Sequence, residues 1–415
     1  MNVHPNALRY ARRAAHLKGS AVRDILKMTE SPGIISFAAG LPAGDAFPVK
    51  ELVAICQSVL TEDATATLQY GLTEGFYPLR QWVCSYLKET VQLPCEPERV
   101  LITTGSQQAL DLVARVFIDP GDTVIVADPS YAGALQAFSA YEPRLIGVPS
   151  DEEGMCPTAL RHAVANSPSR PKLIYLVTNF HNPTGLTTTL KRRGELARIA
   201  GESGVLIVED DPYGRLRYSG RHLPALAALP EALHWIYLGT CSKVLAPGLR
   251  VAWLVASDGE VVGKLVTAKQ AVDLHTPGLT QRLVAAYCSA QERLDGHVAR
   301  LIKIYRERRD TMAAAIAHRF PHGSTWTLPE GGLFLWVEVP EPLNTTQLLP
   351  AALERQVAYV PGAGFWIGDA RHHTLRLNFS NANCQLIEEG IARLGALLKE
   401  KLDGQRPANL NLRWG

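Results

Sequence analysis

The sequence predicts an α/β protein in which a mostly parallel sheet lies between helices and a smaller α+β unit follows. Three observations predict it. Between residues 98 and 260 a short apolar run, a small or polar loop and a helical pattern recur in turn. The apolar runs are continuous and rich in β-branched residues, as strands buried on both faces require. Beyond residue 260 the text turns helical and then closes with a short set of strands and a last helix.

Taken in order, "RVLITTG" leads into the helical "SQQALDLVARVFI", and "DTVIVADPSY" into "AGALQAFSAY". "KLIYLVTNFHNPTG" precedes "LKRRGELARIAGES", and "VLIVEDDPYG" and "WIYLGTCSK" are two further strands. "LRVAWLVAS" follows too soon for a helical crossover, which makes it an antiparallel member of the sheet. "VARLIKIYRERRDTMAAAIAHRF" reads as one long amphipathic helix. "GGLFLWVEV", "VAYVPG" and "TLRLNFS" are strands, and "CQLIEEGIARLGALLKEKL" is a helix. The expected organisation is an N-terminal arm with part of the small domain over 1–50, a large domain over 51–310, a small C-terminal domain over 311–402 and a tail over 403–415. Within the arm, "SAVRDILKMTE" has the spacing of an amphipathic helix.

Composition narrows the function. A net charge of +2 gives no electrostatic footprint for nucleic acid. No apolar run reaches the length of a membrane span. The seven cysteines are scattered and never spaced C-x-x-C, which argues for a reducing, cytoplasmic setting and against a zinc ribbon. No metal motif is present, and His372-His373 reads as a solvated pair.

In an open parallel sheet, ligands bind outside the carboxyl ends of the strands. Those ends carry Gly105-Ser106-Gln107, Asp128 to Tyr131, Asn179 to Gly185, Glu209 to Tyr213 and Thr240 to Lys243. Each has an ordinary reading: Ser106 as a helix cap, Asp210 or Asp211 closing a turn or pairing with Lys243. Each also has a chemical one. Ser106 and Gln107 open a helix whose free N–H groups can bind an anion. Lys243, desolvated at a strand end, is a usable amine nucleophile, and Arg250 could neutralise a phosphate beside it. Asp210 could hold a pyridinium nitrogen and Tyr213 a phenolate oxygen, while Tyr131 could stack on a ring. Together these are the requirements of pyridoxal 5′-phosphate.

From about Ile34 to Leu402 the chain resembles the class I/II aminotransferases of fold type I that depend on pyridoxal phosphate. The motifs that carry the resemblance are "QYG" at Gln69, "NPTG" at Asn182, "DDPYG" at Asp210, "SKVLAPGLRVAW" at Ser242 and "LRLNFS" at Leu375. The likeness is greatest to the branch with 2-aminoadipate and kynurenine aminotransferases and multi-substrate bacterial enzymes. The resemblance implies a seven-stranded sheet and a homodimer with the active site at the subunit interface. It implies that Lys243 carries the cofactor as an imine and shuttles protons, that Asp210 holds the ring nitrogen, and that Asn182 and Tyr213 bind the ring oxygen. Tyr131 would stack on the ring. Ser106, Gln107, Thr240, Ser242 and Arg250 would hold the phosphate, with Tyr70 reaching it from the neighbouring subunit. Arg376 would grip the substrate α-carboxylate, helped by Asn182 and the backbone of Gly40, and Arg23 is the candidate for a distal carboxylate. The activity implied is ping-pong transfer of an amino group from an L-amino acid to a 2-oxo acid such as 2-oxoglutarate, with a broad, apolar, aromatic or aminoadipate-type donor. Other chemistry on the same cofactor (β-lyase, decarboxylase, oxidase) would use the same residues. A non-catalytic, effector-sensing relative fused to a DNA-binding helix-turn-helix would need an additional N-terminal domain, for which the positions before Ile34 leave no room. An aldolase working without this cofactor would not need Asp210 or a phosphate site.

Overall fold

The computed structural model of the chain describes Tyr10, Ala11, Ala14, Gly19, Ile25 and residues 33–404. Of the expected arm helix over Ser20–Glu30 only Ile25 is described; Arg23 and the tail beyond 404 lie outside the described residues.

The chain opens with strand β1 (Ile35–Ser36) and helices α1 (Val49–Glu62), α2 (Ala64–Leu68) and α3 (Tyr77–Val91). Strand β2 (Val100–Thr103), helix α4 (Ser106–Phe117), β3 (Thr123–Asp128), α5 (Ala132–Ser139), β4 (Arg144–Asp151), β5 (Gly154–Met155) and α6 (Pro157–Ala165) follow. Next come β6 (Leu173–Leu176), α7 (Leu190–Ser203), β7 (Leu206–Asp210), β8 (Trp235–Thr240), β9 (Ala252–Ala256), α8 (Gly259–Gln270) and α9 (Gly278–Cys288). The last part holds the 29-residue α10 (Gln291–Arg319), β10 (Thr325–Trp326), β11 (Phe334–Glu338), α11 (Thr345–Glu354), β12 (Val357–Ala358), β13 (Val360–Pro361), β14 (Thr374–Asn378) and α12 (Cys384–Asp403).

Among the described residues the main sheet has eight strands in the order β2-β9-β8-β7-β6-β3-β4-β5. Its centre is parallel, β3 to β6, β6 to β7 and β7 to β8. Strand β9 runs antiparallel to both neighbours, as the short link after Lys243 requires: between β8 and β9 there is room only for a single turn at Pro247–Leu249. The strand beyond the expected seven is the two-residue β5, which folds back on the end of β4. The buried runs of β2, β3, β6, β7, β8 and β9 read as continuous apolar text because helices cover both faces. One face packs α4, α5 and α8, and the other packs α7.

The second sheet, β10-β11-β14-β13, is antiparallel. Strand β1 pairs with β12, with Ile35 opposite Val357, so the N-terminal segment is tied to the C-terminal elements. Ile25 is buried with Ala38, Trp336, Ala358, Val360 and Phe365. Helix α10 begins seven residues before the stretch whose spacing gave it away, and packs along α12. The expected strand "VAYVPG" is two short strands separated by Tyr359, which takes its hydroxyl to the Thr345 carbonyl at 2.6 Å.

Candidate active site

The carboxyl ends of β2, β3, β6, β7 and β8 open into a cavity of about 790 Å³ between the two sheets. Lys243 lies three residues beyond the end of β8 on its wall. Its ammonium donates to the carbonyl of Gly40 at 2.8 Å, not to a carboxylate. Burial, and then the positive charges of Arg376 and Arg250, lower its pKa to about 8. Gly40 is a tight fit: a Cβ there would come within 2.8 Å of the Phe334 ring.

The two adjacent carboxylates at the end of β7 part ways, as alternation along a strand requires. Asp211 is saturated. It accepts from Asn179 Nδ2 at 3.0 Å, Tyr237 Oη at 2.9 Å and the Gly214 N–H at 2.8 Å. Asp210 faces the cavity. Its Oδ2 accepts from Tyr175 Oη at 2.9 Å, and its Oδ1 is buried without a partner. Burial raises its pKa to about 7, and the negative charge of Asp211 adds to the rise.

At the other end of the cavity the chain leaves β2 through Gly105, at φ +85°, and starts α4 at Ser106. A Cβ on Gly105 would fall 2.0 Å from Arg250 Nη2, so only glycine lets the guanidinium lie against this turn. Ser106 Oγ is buried and has no partner, and Gln107 turns its amide to the Gly133 carbonyl at 2.9 Å. The Thr240 hydroxyl accepts the Ser242 N–H at 3.0 Å and donates to Ser242 Oγ at 2.9 Å. First-turn N–H groups, three hydroxyls and a guanidinium around one spot make an anion site.

Arg376, in the middle of β14, is 3% exposed. It donates to Asn182 Oδ1 at 2.8 Å and to the Ala38 carbonyl at 2.6 Å, while its Nε has no partner. Its guanidinium lies 4.2 Å from the centre of the Phe334 ring and 5.1 Å from that of Phe365. Burial lowers its pKa to about 10, still a cation at neutral pH. Tyr131 and Tyr213 line the same cavity, and burial pushes the Tyr213 phenol upward.

The cavity thus collects Gly40, Asn182, Lys243 and Arg376 with the residues at the ends of β2, β3, β7 and β8 singled out above. Tyr70 is not among them. It stands 79% exposed, edge-on to His275 at 5.8 Å. Arg23 lies outside the described residues. Sequence reasoning missed Tyr175, Phe334, Phe365 and Gln136; the last three line the cavity and Tyr175 stands behind Asp210. Only Tyr175 had a signal, a phenol inside an otherwise aliphatic strand.

The model of the aminotransferase class I and II family matches residues 32–394. An aromatic-amino-acid aminotransferase of Thermococcus litoralis is 41% identical over 95% of this chain and 94% of its own. The structure of an α-aminoadipate aminotransferase from Thermus thermophilus, complexed with N-(5′-phosphopyridoxyl)-L-leucine, superposes with a TM-score of 0.88 at 41% identity. That match covers 95% of this chain and 98% of that one. A kynurenine aminotransferase of Pyrococcus horikoshii, solved with pyridoxamine phosphate, gives 0.90 at 40% identity over 95% and 97%. The match over most of its length makes the chain a member of the class I and II aminotransferases.

Proposed function

From that membership, we propose that the protein moves the amino group of an L-amino acid to a 2-oxo acid, with pyridoxal 5′-phosphate as cofactor and 2-oxoglutarate as acceptor. One observation carries the reading: three buried polar atoms without partners, Asp210 Oδ1, Ser106 Oγ and Arg376 Nε, belong to residues on the cavity wall that also holds Lys243. Buried polar groups left unpaired are costly, so they speak for a polar occupant. The residues fit this cofactor, with an anion site at one end and a carboxylate and an amine along the wall.

When bound, pyridoxal phosphate supplies an aldehyde that condenses with amines and a protonated ring that accepts the electrons of a broken Cα–H bond. The chain's residues do the rest. Lys243, largely uncharged above pH 8, would hold the cofactor through its amine and, when free of it, would move the proton at the substrate Cα. Asp210 holds the ring nitrogen protonated. Ser106, Gln107, Thr240, Ser242 and Arg250, with the N–H groups opening α4, hold the phosphate. Tyr131 stacks on the ring, and Asn182 and Tyr213 bind its oxygen. Arg376, kept in plane by Asn182 and Ala38, grips the α-carboxylate as a fork, beside Gly40. Donor and acceptor use the same cavity in turn.

The charged groups of the cavity among the described residues are Asp210, Lys243, Arg250 and Arg376, and all four are taken. What remains for the donor side chain is apolar and aromatic, from Leu41, Phe334 and Phe365. This supports an apolar, aromatic or aminoadipate-type donor, with Arg23 matching any distal carboxylate. Helix α1 contains no buried residue, and Leu68, Tyr70 and Leu72 are 71%, 79% and 66% exposed. Such an apolar surface supports a homodimer in which Tyr70 serves the partner's phosphate site. Scattered free thiols support a cytoplasmic setting. Among the described residues no helix is long and apolar enough to cross a membrane. Purified holoenzyme mixed with a panel of amino acids, without acceptor, tests the function: conversion of bound cofactor to pyridoxamine phosphate with release of the 2-oxo acid is expected. Turnover without any aminated cofactor would overturn it.

A further inference from the structure

We infer that Tyr175 is a positioning residue for Asp210: its phenol pins one carboxylate oxygen so that the other is presented to the cavity. The inference rests on the reading that Asp210 serves the ring nitrogen of bound pyridoxal phosphate.

Tyr175 and Asp210 come from neighbouring parallel strands and share one face of the sheet. The register sets Tyr175 opposite Val208, two residues before Asp210 and on the same side. The phenol therefore reaches diagonally forward, and Oη donates to Asp210 Oδ2 at 2.9 Å. Oδ1, buried and unpartnered, is the oxygen left for a ligand. Tyr175 does not line the cavity itself. It is 1% exposed, and its ring stands edge-on to Phe138, with centroids 5.6 Å apart at 79°. A ring held in this way cannot swing to follow the carboxylate, so it fixes the rotation of Asp210 about its last bond. Two adjacent carboxylates with separate donors cannot exchange roles: Asp211 is held by Asn179, Tyr237 and Gly214.

The contact also acts on charge. A hydrogen bond donated to a carboxylate favours its ionised form. Only the ionised form can hold a protonated ring nitrogen opposite. The other titratable group acting on Asp210 is Asp211 on the loop after β7, whose charge disfavours a second negative charge beside it. Tyr175 is the donor that opposes it.

Tyr175→Phe keeps the ring and its packing and removes the donor. The holoenzyme is reconstituted with pyridoxal phosphate labelled with ¹⁵N in the ring, and the nitrogen signal is followed against pH. In the parent the pH at which the pyridinium loses its proton is the reference. In Tyr175→Phe it should lose its proton at a pH lower by about one unit or more, with kcat about tenfold lower and KM within about twofold. Asp210→Ala, run beside it, should lose the pyridinium signal outright. A nitrogen titration and kcat like the parent's in Tyr175→Phe, with the signal lost in Asp210→Ala, would overturn the inference and leave the role of Asp210 standing. An unchanged pyridinium signal in Asp210→Ala would overturn both. Should Tyr175→Phe fail to fold, 3-fluorotyrosine at position 175, a stronger donor of nearly equal size, should move the titration the opposite way, and no displacement would again refute the inference.

Discussion

The Lys243 ammonium and the Gly40 carbonyl, 203 positions apart in the chain, meet at 2.8 Å. The contact joins the end of a central strand to the loop after β1. It also identifies the one lysine of the cavity among the described residues. Lys269, the fully buried lysine, is engaged instead by Asp273 at 2.6 Å and by Gln108 at 2.8 Å. Borohydride reduction of the holoenzyme should therefore fix the cofactor on the peptide containing Lys243. Peptide mass mapping checks this, and label on Lys264 or Lys269 would refute it.

The same lysine sets a pH dependence. Its pKa is lowered to about 8 from an ordinary 10.5, so the neutral amine predominates above about pH 8. The rate at which pyridoxal phosphate attaches to apoprotein should rise with a midpoint near pH 8. Arg376 is one of the two charges that depress this pKa. Its removal relieves the repulsion of the ammonium, so in Arg376→Ala the midpoint should move to higher pH. A stopped-flow series read by absorbance tests both, and a shift to lower pH would contradict the electrostatic account.

Asp210 and Asp211 should fail differently. Asp210→Ala should remain folded and lose the half-reaction on the order of a thousandfold, as for removal of a preorganised electrostatic partner. Asp211→Ala leaves Asn179, Tyr237 and Gly214 without their acceptor. It should cost about 3 kcal/mol of stability, the upper end for stranding buried donors, and leave the half-reaction in the folded fraction. Urea unfolding and single-turnover spectra separate the two.

Much of this site was legible before any coordinates. Strand ends gather on one edge of a parallel sheet, so Ser106, Asp210 and Lys243 could be grouped from their places after apolar runs. Strand parity and the three-residue spacing to Tyr213 set Asp210 apart from Asp211. What was hidden depends on contacts between distant segments. The rings of Phe334 and Phe365 flank Arg376 only because β11 and the turn after β13 meet at β14. Tyr175 looked like core text because it sits within "LIYL", and only the register with β7 makes it a donor. Strand β4 escaped notice because Gly147 and Pro149 break its apolar run. Gly147 is there for space, since a Cβ would fall 2.8 Å from Asp128 Oδ2.

Arg376 should matter to every substrate alike. It is a planar fork whose two outer nitrogens are already anchored by Asn182 and Ala38. Arg376→Ala should weaken donors and oxo acids by a common roughly 1.5–3 kcal/mol in kcat/KM, the range for hydrogen bonds to a charged group. Arg376→Lys should not restore it, because a single ammonium cannot hold both anchors and a carboxylate. Loss confined to one substrate class would place the α-carboxylate elsewhere.

The last prediction concerns the partner subunit. Within one chain Tyr70 is far from useful: it is exposed, edge-on to His275, and absent from the cavity wall. Ser106, Gln107, Thr240, Ser242 and Arg250 line one end of the cavity without it. If Tyr70 completes that site across a twofold axis, each cavity draws on two chains. Tyr70→Ala and Lys243→Ala homodimers should then both be weak or inactive, the first through loose cofactor and the second through lost chemistry. Mixing the two under conditions that exchange subunits places both substitutions in one cavity and leaves the other intact, so activity should recover. Were Tyr70 to act on its own chain, each cavity of the mixed dimer would carry one defect, and mixing would recover nothing. Activity that recovers with the same time course as subunit exchange, followed by sedimentation of labelled chains, is the expected result, and flat activity through complete exchange would refute the shared site.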